Sequence, residues 1–131
     1  MPILDSDVII QFLRGNNEAK EKVKELKEKY KILKTTALNV AELYLGANLS
    51  NNVPKNTRLI EAFLKTLDLI SFSPDDGKVY GQISAELQLK GLKIGITDEM
   101  IASIALHSGE PIVTRNVKHF NKISQLKIEK W

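Results

Sequence analysis

Asp5, Glu42 and Asp98 are the side chains of this 131-residue sequence whose type and placement suggest chemistry. The chain has no cysteine, so thiolate catalysis, disulfides and sulfur-based zinc sites are excluded and any site must use oxygen and nitrogen. Three carboxylates brought within ~4–6 Å of one another cannot all stay ionised without compensation, because each like neighbour and each step of burial raises a pKa. A cation is the natural remedy. All-oxygen ligands select a hard ion, Mg²⁺ or Mn²⁺, which keeps several waters free for a phosphate group. Such an ion polarises a phosphodiester and activates water without a covalent intermediate, so the reaction class is metal-assisted phosphodiester hydrolysis. Arg14 and Arg115 are candidate phosphate contacts, with structural ion pairs as the alternative for each.

The elements that must position these acids follow from periodicity. In MPILDSDVIIQFLRG an apolar Ile3-Leu4 runs into Asp5-Ser6-Asp7, and Val8, Ile9, Phe12 and Leu13 then recur at helix-face spacing. That pattern is strand, sharp turn, helix. It puts Asp5 at a strand's carboxyl end, where open α/β sheets place their ligands, and leaves helix capping to Ser6 or Asp7. A charged-faced helix over Asn16 to Tyr30 and a short strand at Ile32-Leu33, ending at Thr35 and Thr36, come next. Asn39 to Ala47 is the following helix, and two readings of Glu42 stand: a pocket acid, or the far half of a capping box with Asn39. Asn48 to Asn56 reads as a loop, Leu59 to Leu67 as a helix and Leu69 to Phe72 as a strand. Asp75 and Asp76 then cap a helix that Gly91 closes, and Thr97 is the expected cap of a helix whose Asp98 borders the buried face set by Ile101 and Ala102. His107, in that helix's last turn, reads as structural. Pro111 to Thr114 is a fourth strand, and Leu126 to Ile128 a short edge strand.

Strands separated by helices imply a mainly parallel sheet of four to five strands, with the first and fourth opening on the edge that receives Glu42 and Asp98. With 43% hydrophobic residues, residues 1–131 suit one domain with a real core. Nineteen Lys and Arg against sixteen Asp and Glu permit a polyanionic partner without establishing one. The opening residues carry no basic run ahead of an apolar stretch, and no segment reaches membrane-spanning length, so a cytoplasmic protein with no membrane partner is expected.

Four stretches, ILDSDVIIQFLRG, TTALNVAELYLGA, ITDEMIASIAL and IVTRNVKHF, together resemble the PIN-domain ribonucleases of the VapC type, toxins of bacterial and archaeal toxin–antitoxin pairs. The resemblance implies a three-layer α/β/α PIN-like fold, magnesium-dependent RNA cleavage with Mn²⁺ as substitute, a homodimer, and a cognate VapB-type antitoxin whose tail fills the site. It implies Asp5, Glu42 and Asp98 as metal ligands, Asn116 as a fourth polar group in catalysis, and Ser6 and Thr114 as supporting hydroxyls. In two places the sequence departs from the family. Asn116 stands in a region where relatives often have aspartate, and His119 where an aspartate commonly precedes the phenylalanine, which offers contact to phosphate or water. Asp7 stands where many relatives are uncharged and restores some of the missing charge. The rival readings are a haloacid dehalogenase-like phosphatase with Asp5 as nucleophile, because LDSDVI fits that D-x-D motif, and a non-catalytic RNA-binding module with an eroded site.

Overall fold

In the computed structural model, which describes residues 1–131, five strands form one sheet with seven helices around it. The strands are β1 (Ile3–Leu4), β2 (Lys34–Thr36), β3 (Asp68–Ile70), β4 (Ile112–Thr114) and β5 (Ile128–Lys130). All pairs are parallel in the order β3-β2-β1-β4-β5, so the expectation of a mainly parallel sheet holds, at the upper end of the strand count. β1 is central. The chain builds outward from it first through β2 and β3, then crosses to β4 and β5, which makes the carboxyl ends of β1 and β4 the topological switch point of the sheet.

The helices are α1 (Ser6–Leu13), α2 (Asn17–Lys29), α3 (Ala37–Asn48), α4 (Val53–Leu64), α5 (Pro74–Leu89), α6 (Ile96–Ser108) and the single turn α7 (Val117–Phe120). Side chains alternate across the sheet and so divide the core in two. Leu4 and Val113 face a layer built from α1 to α4, with Val8, Val23, Leu43 and Phe63. Ile3 and Ile112 face the other layer, where Ile101, Ile104 and Phe120 are buried. The three-layer α/β/α arrangement is therefore present. No helix is long and apolar enough to cross a membrane.

Several boundaries differ from the sequence reading. β2 lies at Lys34–Thr36, after Ile32-Leu33, because its register is set by Ile3 pairing with Lys34 and by Thr35 pairing with Leu69. β3 begins at Asp68 and β5 at Ile128, each slid to match its neighbour. Part of the expected loop 48–56 is helical: α4 starts at Val53 behind an Asn52 cap, with Pro54 in its first turn, where a missing N–H is harmless.

The α5 start illustrates how polar groups are tolerated in the α5/α6 layer. Ser73 and Asp76 form a capping box, and Asp76 Oδ1 lies 2.7 Å from His107 Nδ1 on α6. Burial pushes the Asp76 carboxyl up, yet the bonds from the Ser73 amide, His107 and the Ser73 hydroxyl outweigh it and hold the group below its ordinary range. A depressed carboxylate stabilises the fold above its unfolded pKa, and that contribution fades as pH falls through the folded value. Asp76→Asn is expected to lower the stability at pH 7 by about 1–2 kcal/mol, with the gap from wild type closing in urea titrations below the ordinary carboxylate range.

Candidate active site

Asp5 follows β1 directly and still belongs to the ladder through its amide, which donates to the Val113 carbonyl at 3.0 Å. Contrary to the sequence reading, Asp5 itself is the N-cap of α1: its Oδ1 accepts from the Ser6 amide at 2.8 Å. A strand only two residues long, turning at once into a helix, lets one residue serve both elements. The same oxygen accepts from Asn39 Nδ2 at 3.0 Å, and Oδ2 accepts from the Thr114 hydroxyl at 2.7 Å. Thr35, on β2, donates to the Leu4 carbonyl at 2.7 Å and so pins the strand end that carries Asp5.

The two readings of Glu42 are resolved by a shift of the cap. The capping box of α3 is Thr36 with Asn39, not Asn39 with Glu42. Thr36 extends β2 and presents its hydroxyl to the Asn39 amide at 3.2 Å, so Asn39 moves to the third helical position and Glu42 is released one turn further along. Glu42 Oε1 takes its bond from the Ser6 hydroxyl at 2.7 Å, with Asn39 Nδ2 at 3.4 Å. Asn39, fully buried, thus connects Asp5, Ser6 and Glu42, a role the sequence reading assigned to a cap alone.

Asp98 is delivered by α6. The expected Thr97 cap is replaced by Gly95, whose φ of +111° turns the chain into the helix without a side-chain bond. Glu99, fully buried, supplies what the cap lacks: its Oε2 accepts from the amides of Ile94 and Gly95 at 3.2 and 3.3 Å. With Glu99 turned inward to that loop, Asp98 faces the strand ends. Its Oδ2 lies 3.3 Å from Asn116 Nδ2 and 3.0 Å from His119 Nδ1. Asn116 donates its amide to the Thr114 hydroxyl at 2.9 Å, and Thr114 therefore links the Asp98 group to Asp5.

The acids form two joined sets, Asp5 with Glu42 across Ser6 and Asn39, and Asp98 with Asn116 and His119; no three His, Asp or Glu side chains close on one point. Their charges nevertheless act on one another. Burial is the main cause that raises Asp5 from 3.8 to about 7, against the lowering bond from Thr114, with Asp7 and Asp98 adding like-charge repulsion. Burial also raises Glu42, partly offset by the Ser6 bond, and Asp98 and Asp7 raise it further. No Lys or Arg pairs with Asp5, Asp7, Glu42 or Asp98; His119 is the one basic side chain in bonding distance of any of them. An oxygen-rich donor set in which burial raises Asp5 and Glu42 and no lysine or arginine supplies a countercharge fits a hydrated divalent cation, which takes one or two carboxylates directly and the others through water.

The remaining expected residues fall as follows. Asp7 supports rather than joins the acids: Oδ2 accepts from the Arg115 amide at 2.8 Å and Oδ1 from Trp131 Nε1 at 3.1 Å. Arg115 is committed to structure, paired with Glu18 and stacked 3.6 Å over the Trp131 ring, so its guanidinium is held at the α2 rim. Arg14 follows α1 at the end opposite Asp5 and borders a cleft with Leu43 and Leu59. Sequence reasoning missed Asn39 as a connector and Trp131 altogether; a lone tryptophan far from any motif gave no periodic signal.

A family model for the PIN domain matches residues 3–126. Over 129 residues, covering 98% of this chain and 96% of the relative, the sequence is 31% identical to ribonuclease VapC2 of Rickettsia felis. The chain belongs to the PIN-domain family, among the VapC-type ribonucleases. A tRNA(fMet)-specific endonuclease VapC of Salmonella typhimurium is 30% identical over 116 residues, 86% of this chain and 88% of that protein. Among solved structures, VapBC2 of Rickettsia felis bound to a promoter DNA fragment superposes with a TM-score of 0.91 at 28% identity, over 98% of this PIN domain and 97% of that chain. DNA-bound VapBC from Salmonella typhimurium gives 0.90, also at 28% identity, over 100% and 99%. PIN-domain ribonucleases are metal-dependent, in keeping with the donor set described above, and the phosphatase reading of the D-x-D motif gives way to the family match.

The raised Asp5 carboxyl has a measurable consequence. An acid whose folded pKa lies above its unfolded value stays protonated in the fold where the unfolded chain ionises, so stability falls as pH rises from about 4 to about 7. Asp5→Asn keeps the N-cap and the acceptor oxygen but removes the charge. In metal-free buffer at pH 8 the variant is expected to be more stable than wild type by on the order of 2–4 kcal/mol in urea unfolding, and the two are expected to converge near pH 4.

Proposed function

We propose that residues 1–131 act as one PIN domain, a Mg²⁺-dependent endoribonuclease that serves as the toxin of a toxin–antitoxin pair, with Asp5, Glu42 and Asp98 holding the ion. The observation that carries the reading is the convergence at β1 and β4 of acids that no lysine or arginine neutralises. A divalent ion held there supplies polarisation of a phosphodiester and activation of water. The protein's own part is orientation. Asp5 is fixed through Ser6, Asn39 and Thr114, so its carboxylate needs little reorganisation when the substrate's charge arrives. Glu42, held by Ser6 on its Oε1, keeps Oε2 for water or ion. Asn116, tethered through its amide, presents a carboxamide that can meet a phosphate or water.

Support for RNA as substrate comes from relatives named as ribonucleases, and the Salmonella relative's name makes initiator tRNA the first RNA to test. Structural neighbours solved as VapBC complexes support a VapB-type antitoxin as partner. A homodimer and a cytoplasmic location complete the proposal. The purified chain is expected to cleave RNA with Mg²⁺ or Mn²⁺, to stop on chelation, and to lose about a hundredfold or more of its rate in Asp5→Asn, Glu42→Gln and Asp98→Asn. Residual cleavage at the wild-type rate in these variants, or cleavage in the presence of excess EDTA, would contradict it. An inactive RNA-binding module would bind RNA in all four forms and cut in none.

A further inference from the structure

Asp98 Oδ2, His119 Nδ1 and Asn116 Nδ2 form a nearly equilateral triangle with sides of 3.0, 3.0 and 3.3 Å. Hydrogen bonds cannot satisfy three polar atoms so arranged. Two N–H bonds of one amide diverge by about 120°, whereas the two other corners subtend about 60° at Asn116, so the amide serves one corner well and the other poorly. If His119 carries its proton on Nδ1 and gives it to Asp98, two donors, Nδ1–H and the Asn116 amide, face each other at 3.0 Å. If Nδ1 is bare, its lone pair faces the Asp98 oxygen at the same distance. Each arrangement leaves one edge repulsive.

A triangle of this size is one face of an octahedron: ligand bonds of about 2.1 Å place neighbouring donor atoms about 3.0 Å apart. A half-turn of the Asn116 amide presents Oδ1 at the corner that Nδ2 occupies, giving one carboxylate oxygen, one amide oxygen and one imidazole nitrogen. Resting on the reading that a divalent ion sits among these acids, we infer that His119 Nδ1 is itself a ligand, together with Asp98 and Asn116, and that the site is tuned towards nitrogen-accepting ions such as Mn²⁺ over Mg²⁺.

The chemistry agrees with the placement. Magnesium is satisfied by oxygen and water and gains little from imidazole, whereas transition ions accept it readily. The His119 side chain is 42% exposed, so an ion on Nδ1 leaves Nε2 free to hold its proton towards solvent. Asn116 is the N-cap of the single-turn α7 that carries His119, so two corners of the face come from one turn of chain and the third from α6. The protein's only other histidine, His107, is bound to Asp76 on α5, at a separate place in the fold.

The test is electron spin-echo envelope modulation on the full chain loaded with one equivalent of Mn²⁺. Wild type and His107→Asn are expected to show the nitrogen modulation of a directly bound imidazole, and His119→Asp to lose it. Calorimetric affinities provide a second readout: the preference for Mn²⁺ over Mg²⁺ is expected to fall about tenfold in His119→Asp, whose side chain restores an oxygen donor at the corner. His119 is half-exposed, so the variant's fold is not at stake. Tight Mn²⁺ binding without nitrogen modulation in wild type would overturn the ligand assignment and leave the metal-nuclease reading intact. Failure of Mn²⁺ to bind, or binding undiminished in Asp98→Asn and Asp5→Asn, would overturn both.

Discussion

A carboxylate buried at the end of the central strand, with no basic side chain to neutralise it, is the constraint around which the α1 and α3 starts are arranged. Asp5 is 6% exposed, and its neighbours offer only neutral donors: an amide, a hydroxyl and a carboxamide. Three bonds of that kind offset part of the desolvation but leave the carboxyl raised to about 7, so in the absence of a cation the charged form is held at a cost in stability. The structure maintains this state by spending buried polar residues on orientation. Thr35, Thr36, Asn39 and Thr114 are each fully buried, and every one of them bonds to the β1 end, to Asp5 or to Asn39. Stability is sacrificed at one point so that negative potential is available there.

The topology explains how the two halves of the site meet. With β1 at the centre of a parallel sheet and the chain crossing sides after β3, β1 and β4 are neighbours at the centre of the sheet whose following segments leave to opposite layers. α1 and α3 therefore bring Ser6, Asn39 and Glu42 from one side, and α6 with the β4–α7 turn bring Asp98, Asn116 and His119 from the other. Asp7 and Trp131 close the outer edge. By accepting from the Arg115 amide and from Trp131, Asp7 ties the exits of β4 and β5 to the start of α1, which holds Thr114 within reach of Asp5.

Much of this was legible in the sequence because the relevant signals are local. The apolar Ile3-Leu4 before Asp5 and the alternation of short apolar runs with amphipathic helices were enough to place Asp5, Glu42 and Asp98 at one sheet edge. What failed was also local. Asn39 and Thr36 both make good caps, and only the parallel register of β2, set by pairing with β1 and β3, decides which of them does so. Thr97 lost its cap role to a glycine because Glu99, four residues on, bonds the loop amides from inside the core, a contact no spacing rule reveals. Arg115 carries a charge that sequence can see and a partnership with Glu18 and Trp131 that it cannot, since those contacts join residues 97 and 16 positions away.

The central claim is that the desolvation penalty on the buried Asp5 carboxylate, with the repulsion from Asp7 and Asp98 added to it, is relieved by a divalent ion. Its most direct measurement is the urea midpoint of wild type and Asp5→Asn at pH 8 and constant ionic strength, as Mg²⁺ is raised from zero. The account requires the two curves to cross: wild type starts lower and climbs with the logarithm of ion concentration, while the variant starts higher and stays nearly flat. Parallel curves, or a wild type already more stable without the ion, would contradict it.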